Sequence, residues 1–102
     1  MRYRLAYVLS NIDDFTWSDA LFLPSDEVWD ADSMVMILDP DDVDEDEELP
    51  EAAKNAGYEY ALDVQTVQSI VKNVLAQTAE ISPTVLLDAF LYYYDNDAFI
   101  EL

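Results

Sequence analysis

Nine carboxylates fall between residues 39 and 51, in the stretch DPDDVDEDEELPE. Three kinds of chemistry use acids at that density: calcium binding, paired-carboxylate catalysis and electrostatic capture of a basic partner. Calcium demands a spacing that this run lacks. Counted from Asp42, acids occupy loop positions 1, 3 and 5. Position 6, where a helix-hand loop needs glycine, is Glu47, and position 12, where it needs a bidentate Glu, is Ala53. Counted from Asp39, position 5 is Val43. Only weak calcium binding is expected, and no metal or other cofactor is assigned.

Catalysis lacks its usual residue types. The chain has no His, the commonest general base, and no Cys for a thiolate nucleophile. Its single glycine, Gly57, rules out a glycine-rich phosphate loop. Paired carboxylates perform glycoside hydrolysis, but 23 acids in 102 residues produce such pairs by chance. The sequence reads as a non-enzyme.

The third use fits the composition. The 23 acids face four basic residues, for a formal net charge of −19. Disordered acidic tails are poor in apolar residues, whereas this chain is 52% hydrophobic, with two Trp, seven Tyr and four Phe. A folded domain with this charge carries strong self-repulsion. About 2–8 charges serve the solubility of a small domain. The excess points to a strongly basic partner and argues against direct contact with nucleic acid or an anionic membrane, both of which repel it. No apolar run reaches the roughly 18 residues of a membrane span, and the N-terminus shows no small-residue cleavage site after its short apolar stretch. The absence of Cys suits a reducing compartment, and the expected location is the cytoplasm.

The elements that position these acids follow from periodicity. Residues 1–102 are expected to form one globular domain, with the acidic loop at about 39–48. Leu5, Val8, Leu9 and Ile12 recur at helical spacing. Residues 20–23 form a short apolar strand closed by Pro24. Residues 34–38, MVMIL, predict a central strand buried on both faces. Residues 49–56 predict a short helix with Pro50 at its first position and Gly57 as its stop. Residues 58–62 alternate as a third strand. Asp63 then caps a helix whose apolar face is Val64, Val67, Ile70, Val71, Val74 and Leu75. Ser82 and Pro83 start another, residues 85–94, apolar nearly all round and so expected to be the best buried. A turn at Asp95, Asn96 and Asp97 follows, after which residues 98–100 are expected to pack back on the sheet. The sum is an α+β domain, a small and mostly antiparallel sheet of about three strands with three to four helices.

Aromatic residues extend the candidate surface. Tyr92, Tyr93 and Tyr94 are consecutive on a helix, so they point about 100° apart and cannot all enter one core. Trp17 and Trp29 flank a short strand, as core lids or as interface anchors.

An acidic surface of this kind serves two types of inhibitor. A nucleic-acid mimic spreads its charges along an elongated face, about one per 1.7 Å of duplex. A nuclease inhibitor plugs the groove meant for phosphates. Here the charges concentrate in one loop with satellites, which favours the plug. The N-terminal helix, TWSDALFLP, the DPDDV acidic loop after a buried strand and the C-terminal FLYYYDNDAF together resemble small acidic immunity proteins of bacterial contact-dependent growth-inhibition systems. The resemblance spans most of the chain. It implies a cytoplasmic protein that binds one cognate toxin domain, commonly a transfer-RNA nuclease. The expected contacts are Asp39, Asp41, Asp42, Asp44, Glu45, Asp46, Glu47 and Glu48, with Trp29, Tyr93, Asp95 and Asp97. The alternatives are a nucleic-acid-mimicking inhibitor of a DNA-binding protein and an acidic interaction module. A homodimer is compatible with all three.

Overall fold

The computed structural model describes residues 2–43 and 49–102. It contains strands β1 (Arg2–Arg4), β2 (Ala20–Pro24), β3 (Met34–Leu38) and β4 (Tyr58–Asp63). The helices are α1 (Leu5–Ser10), α2 (Glu51–Ala56), α3 (Val64–Gln77) and α4 (Pro83–Asn96), with a 3-10 turn at Ile12–Asp14. The sheet order is β1-β3-β2-β4 and every pairing is antiparallel. This is an α+β fold, with one strand more than the sequence suggested. The added strand is β1, whose three residues are too few for a period to register.

Local signals account for most boundaries. The Asp63 carboxylate accepts a 2.8 Å hydrogen bond from the Thr66 N–H, capping α3. The Ser82 hydroxyl accepts from the Val85 N–H, with Pro83 opening α4. Gly57 stops α2 at φ 74°, in the left-handed region. Pro50 takes the N-cap of α2, one residue before the helix proper. α1 has no side-chain cap. Instead its first donors, the N–H groups of Leu5 and Ala6, reach the Ser33 and Ala31 carbonyls at 2.8 and 3.0 Å.

The sheet buries both faces unequally. Leu21, Leu23, Val35 and Ala61 face a main core shared with Leu5, Val8 and Leu9 of α1, Val64, Val67, Ile70 and Val74 of α3, and Leu86, Ala89 and Phe90 of α4. On the other face Ala20 and Phe22 pack with Ala53 of α2 and Tyr58. β3 is central as expected, but of its five residues only Val35 is fully buried. The short α2 is too small to cover that second face, so Met34 is exposed and Met36 and Leu38 are half-buried.

Three further expectations need correction. α4 is not the best-buried helix. Only Leu86, Ala89 and Phe90 of it are buried, while Asp88, Tyr92 and Tyr94 are exposed. Leu75 lies off the buried stripe of α3 and is 55% exposed. The C-terminal residues return to the helical layer rather than the sheet. Gln77 of α3 donates to the Ile100 carbonyl and accepts from the Leu102 N–H, each at 2.8 Å.

β4 carries a bulge. Leu21 pairs with Leu62 and Phe22 with Tyr60, leaving Ala61 as the extra residue. The bulge turns Ala61 into the main core and keeps Glu59 and Leu23 paired on the helix side.

Candidate functional site

The strand registers divide the expected contact residues between two ends of the sheet. Leu38, the last residue of β3, pairs with Ala20, which pairs with Asp63. Asp39, Asp41 and Asp42 therefore emerge at the Ala20 end. There the Asp39 carboxylate accepts from the Asp41 N–H at 2.9 Å and its carbonyl from the Asp42 N–H at 3.1 Å. These bonds form a tight Asx turn that starts the acidic loop. Asp44, Glu45, Asp46, Glu47 and Glu48 lie outside the described residues.

Trp29 belongs to the other end. Its indole N–H donates to the Pro24 carbonyl at 2.7 Å, and Pro24 pairs with Tyr58 at the start of β4. The five residues of β2 separate the two ends by about 13 Å. A second acidic surface is built there, from three segments that are distant in the chain.

The first is the loop after β2. Ser25 anchors it, donating its N–H and its hydroxyl to the Gly57 carbonyl at 3.1 and 2.8 Å. Its far end is a turn in which Asp30 accepts from the Asp32 N–H at 2.9 Å and Ser33 accepts from the Asp30 N–H at 2.8 Å. Trp29 pins the middle, only 8% exposed, against Phe90 and Tyr94. With the loop held at three points, the neighbouring Val28 is pushed outward and is 93% exposed.

The second segment is α4. Tyr94 lies across Trp29 with ring centroids 4.7 Å apart at 60°, and is 39% exposed. Asp95 follows it at the surface. The third is β4, whose Glu59 accepts a hydrogen bond from the Tyr94 hydroxyl at 3.3 Å. Burial pushes the Tyr94 hydroxyl above its ordinary pKa, and the negative charges of Glu59 and Asp95, with the Glu59 hydrogen bond, push the same way. The phenol stays protonated and remains a donor.

These segments enclose a groove of about 310 Å³ lined by Glu27, Val28, Trp29, Glu59, Leu91, Tyr94 and Asp95. A second hollow of about 300 Å³ shares Glu27 and Val28 and adds Asp30 and Asp32. Val28 is thus the crest between two acid-walled depressions. Elsewhere, α1, the 3-10 turn, α3 and the start of α4 border a cleft of about 360 Å³ with Asp13 and Asp14 on its rim.

Of the expected contacts, Trp29 and Asp95 come together in this groove. Tyr93 does not join them. It is half-buried against the main core and against Phe99, 5.4 Å between centroids. Asp97 caps α4 at φ 52°, its N–H donating to the Tyr93 carbonyl. Trp17 is 65% exposed, so it is not a core lid. Glu27, Val28, Glu59 and Leu91 were not among the contacts expected from the sequence, and Tyr94 entered only as a member of the tyrosine triplet. Among the described residues no three acids converge closely enough to hold a metal ion.

Fold and surface together define an acidic α+β protein with carboxylates at both ends of its sheet and an aromatic groove at one of them. The family model described as a domain of unknown function, DUF7716, matches residues 2–102, and the chain belongs to that family. No curated protein and no solved structure matches it. Among the described residues no helix is long and apolar enough to cross a membrane.

Proposed function

We propose that this protein is a cytoplasmic, non-enzymatic immunity protein that binds one basic nuclease toxin domain and neutralises it by covering the active-site cleft. The observation that carries this reading is the uncompensated charge of −19 on a folded scaffold. Two of its four cations, Arg2 and Arg4, sit together on the short edge strand β1. Arg2 is engaged there by the Tyr58 ring, 5.3 Å away. With 23 acids to four basic residues, the Asp39 turn and the Trp29 loop, at opposite ends of the sheet, offer carboxylates to a cationic partner.

A nuclease cleft that binds phosphates is lined with Lys and Arg. Carboxylates placed over it replace the substrate's charge and block its entry, and the opposed fields accelerate encounter. The acidic run beginning at Asp39 supplies the plug. No step in this reading makes or breaks a covalent bond in the inhibitor.

The decisive experiment pairs the protein with a toxin domain encoded immediately upstream of its gene. Co-expression should rescue cells from that toxin, and purified protein should abolish RNA cleavage at equimolar ratio. Cleavage that proceeds unchanged in the presence of excess protein would refute the proposal.

A further inference from the structure

We infer that the groove between Trp29, Tyr94 and Glu59 is a receptor for an arginine side chain of a basic protein partner. The assignment rests on the toxin-binding reading for the identity of that partner, and on the groove's own chemistry for the arginine.

Four features select this occupant. The groove volume of about 310 Å³ suits one long side chain. Its walls carry three carboxylates, Glu27, Glu59 and Asp95, and the described residues place no cation among its lining. Neither Arg2 nor Arg4 lines it, and Arg2 extends to the Tyr58 ring, which packs with the cluster on the other face of the sheet. The floor is aromatic and held rigid. The Trp29 N–H is already spent on Pro24 and the Tyr94 hydroxyl on Glu59, which leaves the Tyr94 ring partly open. Finally, Val28 and Leu91 add apolar lining, and Val28 is 93% exposed.

An arginine matches these features together. Its methylene stem covers Val28 and Leu91. Its guanidinium plane stacks on the Tyr94 ring, while its forked N–H groups reach carboxylates on either side. Lysine offers a point charge without the planar face or the fork. Preorganisation by the two internal hydrogen bonds lowers the ordering cost of binding.

The test is a nuclear magnetic resonance titration of the full chain with a short acetylated, amidated Gly-Ser-Arg-Ser-Gly peptide at low salt. Control peptides carry lysine or citrulline in place of arginine. The expected result is a saturating shift confined to the Trp29 indole N–H and the amides of Val28, Glu59 and Tyr94. The lysine peptide should bind several-fold more weakly and the citrulline peptide not measurably. Tyr94→Leu should weaken the arginine peptide by on the order of tenfold, the range of a partly desolvated cation–π contact. The double variant Glu59→Gln, Asp95→Asn keeps side-chain size and an acceptor oxygen for the Tyr94 hydroxyl, and it should do the same with the fold intact. Shifts spread equally over Asp13, Asp14 and Asp39, or equal affinity for arginine and lysine, would overturn the assignment. So would parental affinity in both variants. The titration contains no toxin. Its failure removes the groove and leaves toxin binding to the acidic run, whereas failure of cell protection removes the toxin and leaves the arginine result standing.

Discussion

Trp29 and Tyr94 meet edge to face, 4.7 Å between ring centroids, so that a loop residue and a residue near the end of α4 form one aromatic surface. Each ring is tied by its polar atom to a β-strand, Trp29 to the Pro24 carbonyl of β2 and Tyr94 to the Glu59 carboxylate of β4. The contact joins the helical layer to the sheet end and fixes the loop that carries Glu27 and Val28. Stability and binding are therefore coupled at this point.

Removing only the indole donor measures that tie. Trp29→Phe keeps most of the apolar contact with Phe90 but leaves the Pro24 carbonyl without its partner. It should lower stability by about 1 kcal/mol, whereas Trp29→Ala should cost about 3–5 kcal/mol because a cavity opens as well. Urea unfolding followed by far-ultraviolet circular dichroism distinguishes the two. Equal losses would mean that the packing of the ring contributes nothing beyond the hydrogen bond.

Charges placed in the main core should unfold the protein. Val67 and Phe90 are both fully buried in it, and Val67→Asp or Phe90→Asp would bring a carboxylate there without a partner. The expected spectrum is that of an unfolded chain at neutral pH. A cooperative thermal transition in either variant would contradict the packing of α3 and α4 described here.

Salt should stabilise the fold. A net charge of −19 repels itself, and the Debye length falls from about 30 Å at 0.01 M to about 3 Å at 1 M. The unfolding midpoint is expected to rise between low and moderate sodium chloride. A flat midpoint across that range would show that the carboxylates are spaced widely enough not to matter.

Alkaline pH should destabilise the fold through two tyrosines. Burial, followed by the charge of Asp63, raises the pKa of Tyr60 above its ordinary value of 10.0. Tyr94 is raised by burial and then by Glu59 and Asp95. In the unfolded chain both hydroxyls ionise near 10, while in the fold they ionise later. The stabilisation is whole below the unfolded value and is lost as pH rises through the folded values, because the unfolded state releases its protons first. Tyrosinate absorbance should show a late-titrating class in the native protein that disappears in urea. Tyr94→Phe should shrink that class.

Neutralising the acidic run should separate steering from anchoring. Changing Asp41, Asp42, Asp44, Asp46 and Glu47 to Asn or Gln removes like charges from one loop and should leave the fold intact or slightly more stable. Association with the toxin domain should slow and lose much of its salt dependence, as expected of charges that act at long range. Carboxylates that are buried against toxin arginines would also raise the off-rate, at about 2–5 kcal/mol per broken pair. Surface-plasmon binding at two salt concentrations reads both rates. Unchanged binding and protection would reduce the run to a solubility device and move the contact surface to the Trp29 end.

Much of this fold was legible because its determinants act over a few residues. Asp63 and Ser82 cap helices by reaching a backbone N–H three positions on. Gly57 ends α2 because its missing Cβ makes a positive φ inexpensive. The stripe from Val64 to Val74 announces a helix from its spacing alone, and the total charge follows from composition. Relations between distant segments were not legible in this way. β1 is a strand only because β3 offers it an edge to pair with. The extra residue Ala61 reflects how β4 fits β2, not any preference of its own. α4 is apolar nearly all round, yet among the described residues its neighbours bury only the side that carries Leu86, Ala89 and Phe90. Glu27, Glu59 and Asp95 look like scattered surface acids along the chain. They share a groove only because the strand registers, the Trp29 anchor and the packing of α4 bring their three segments to one end of the sheet. Periodicity reports which face of an element avoids water. It does not report which other element arrives to cover that face, and that choice belongs to the tertiary structure.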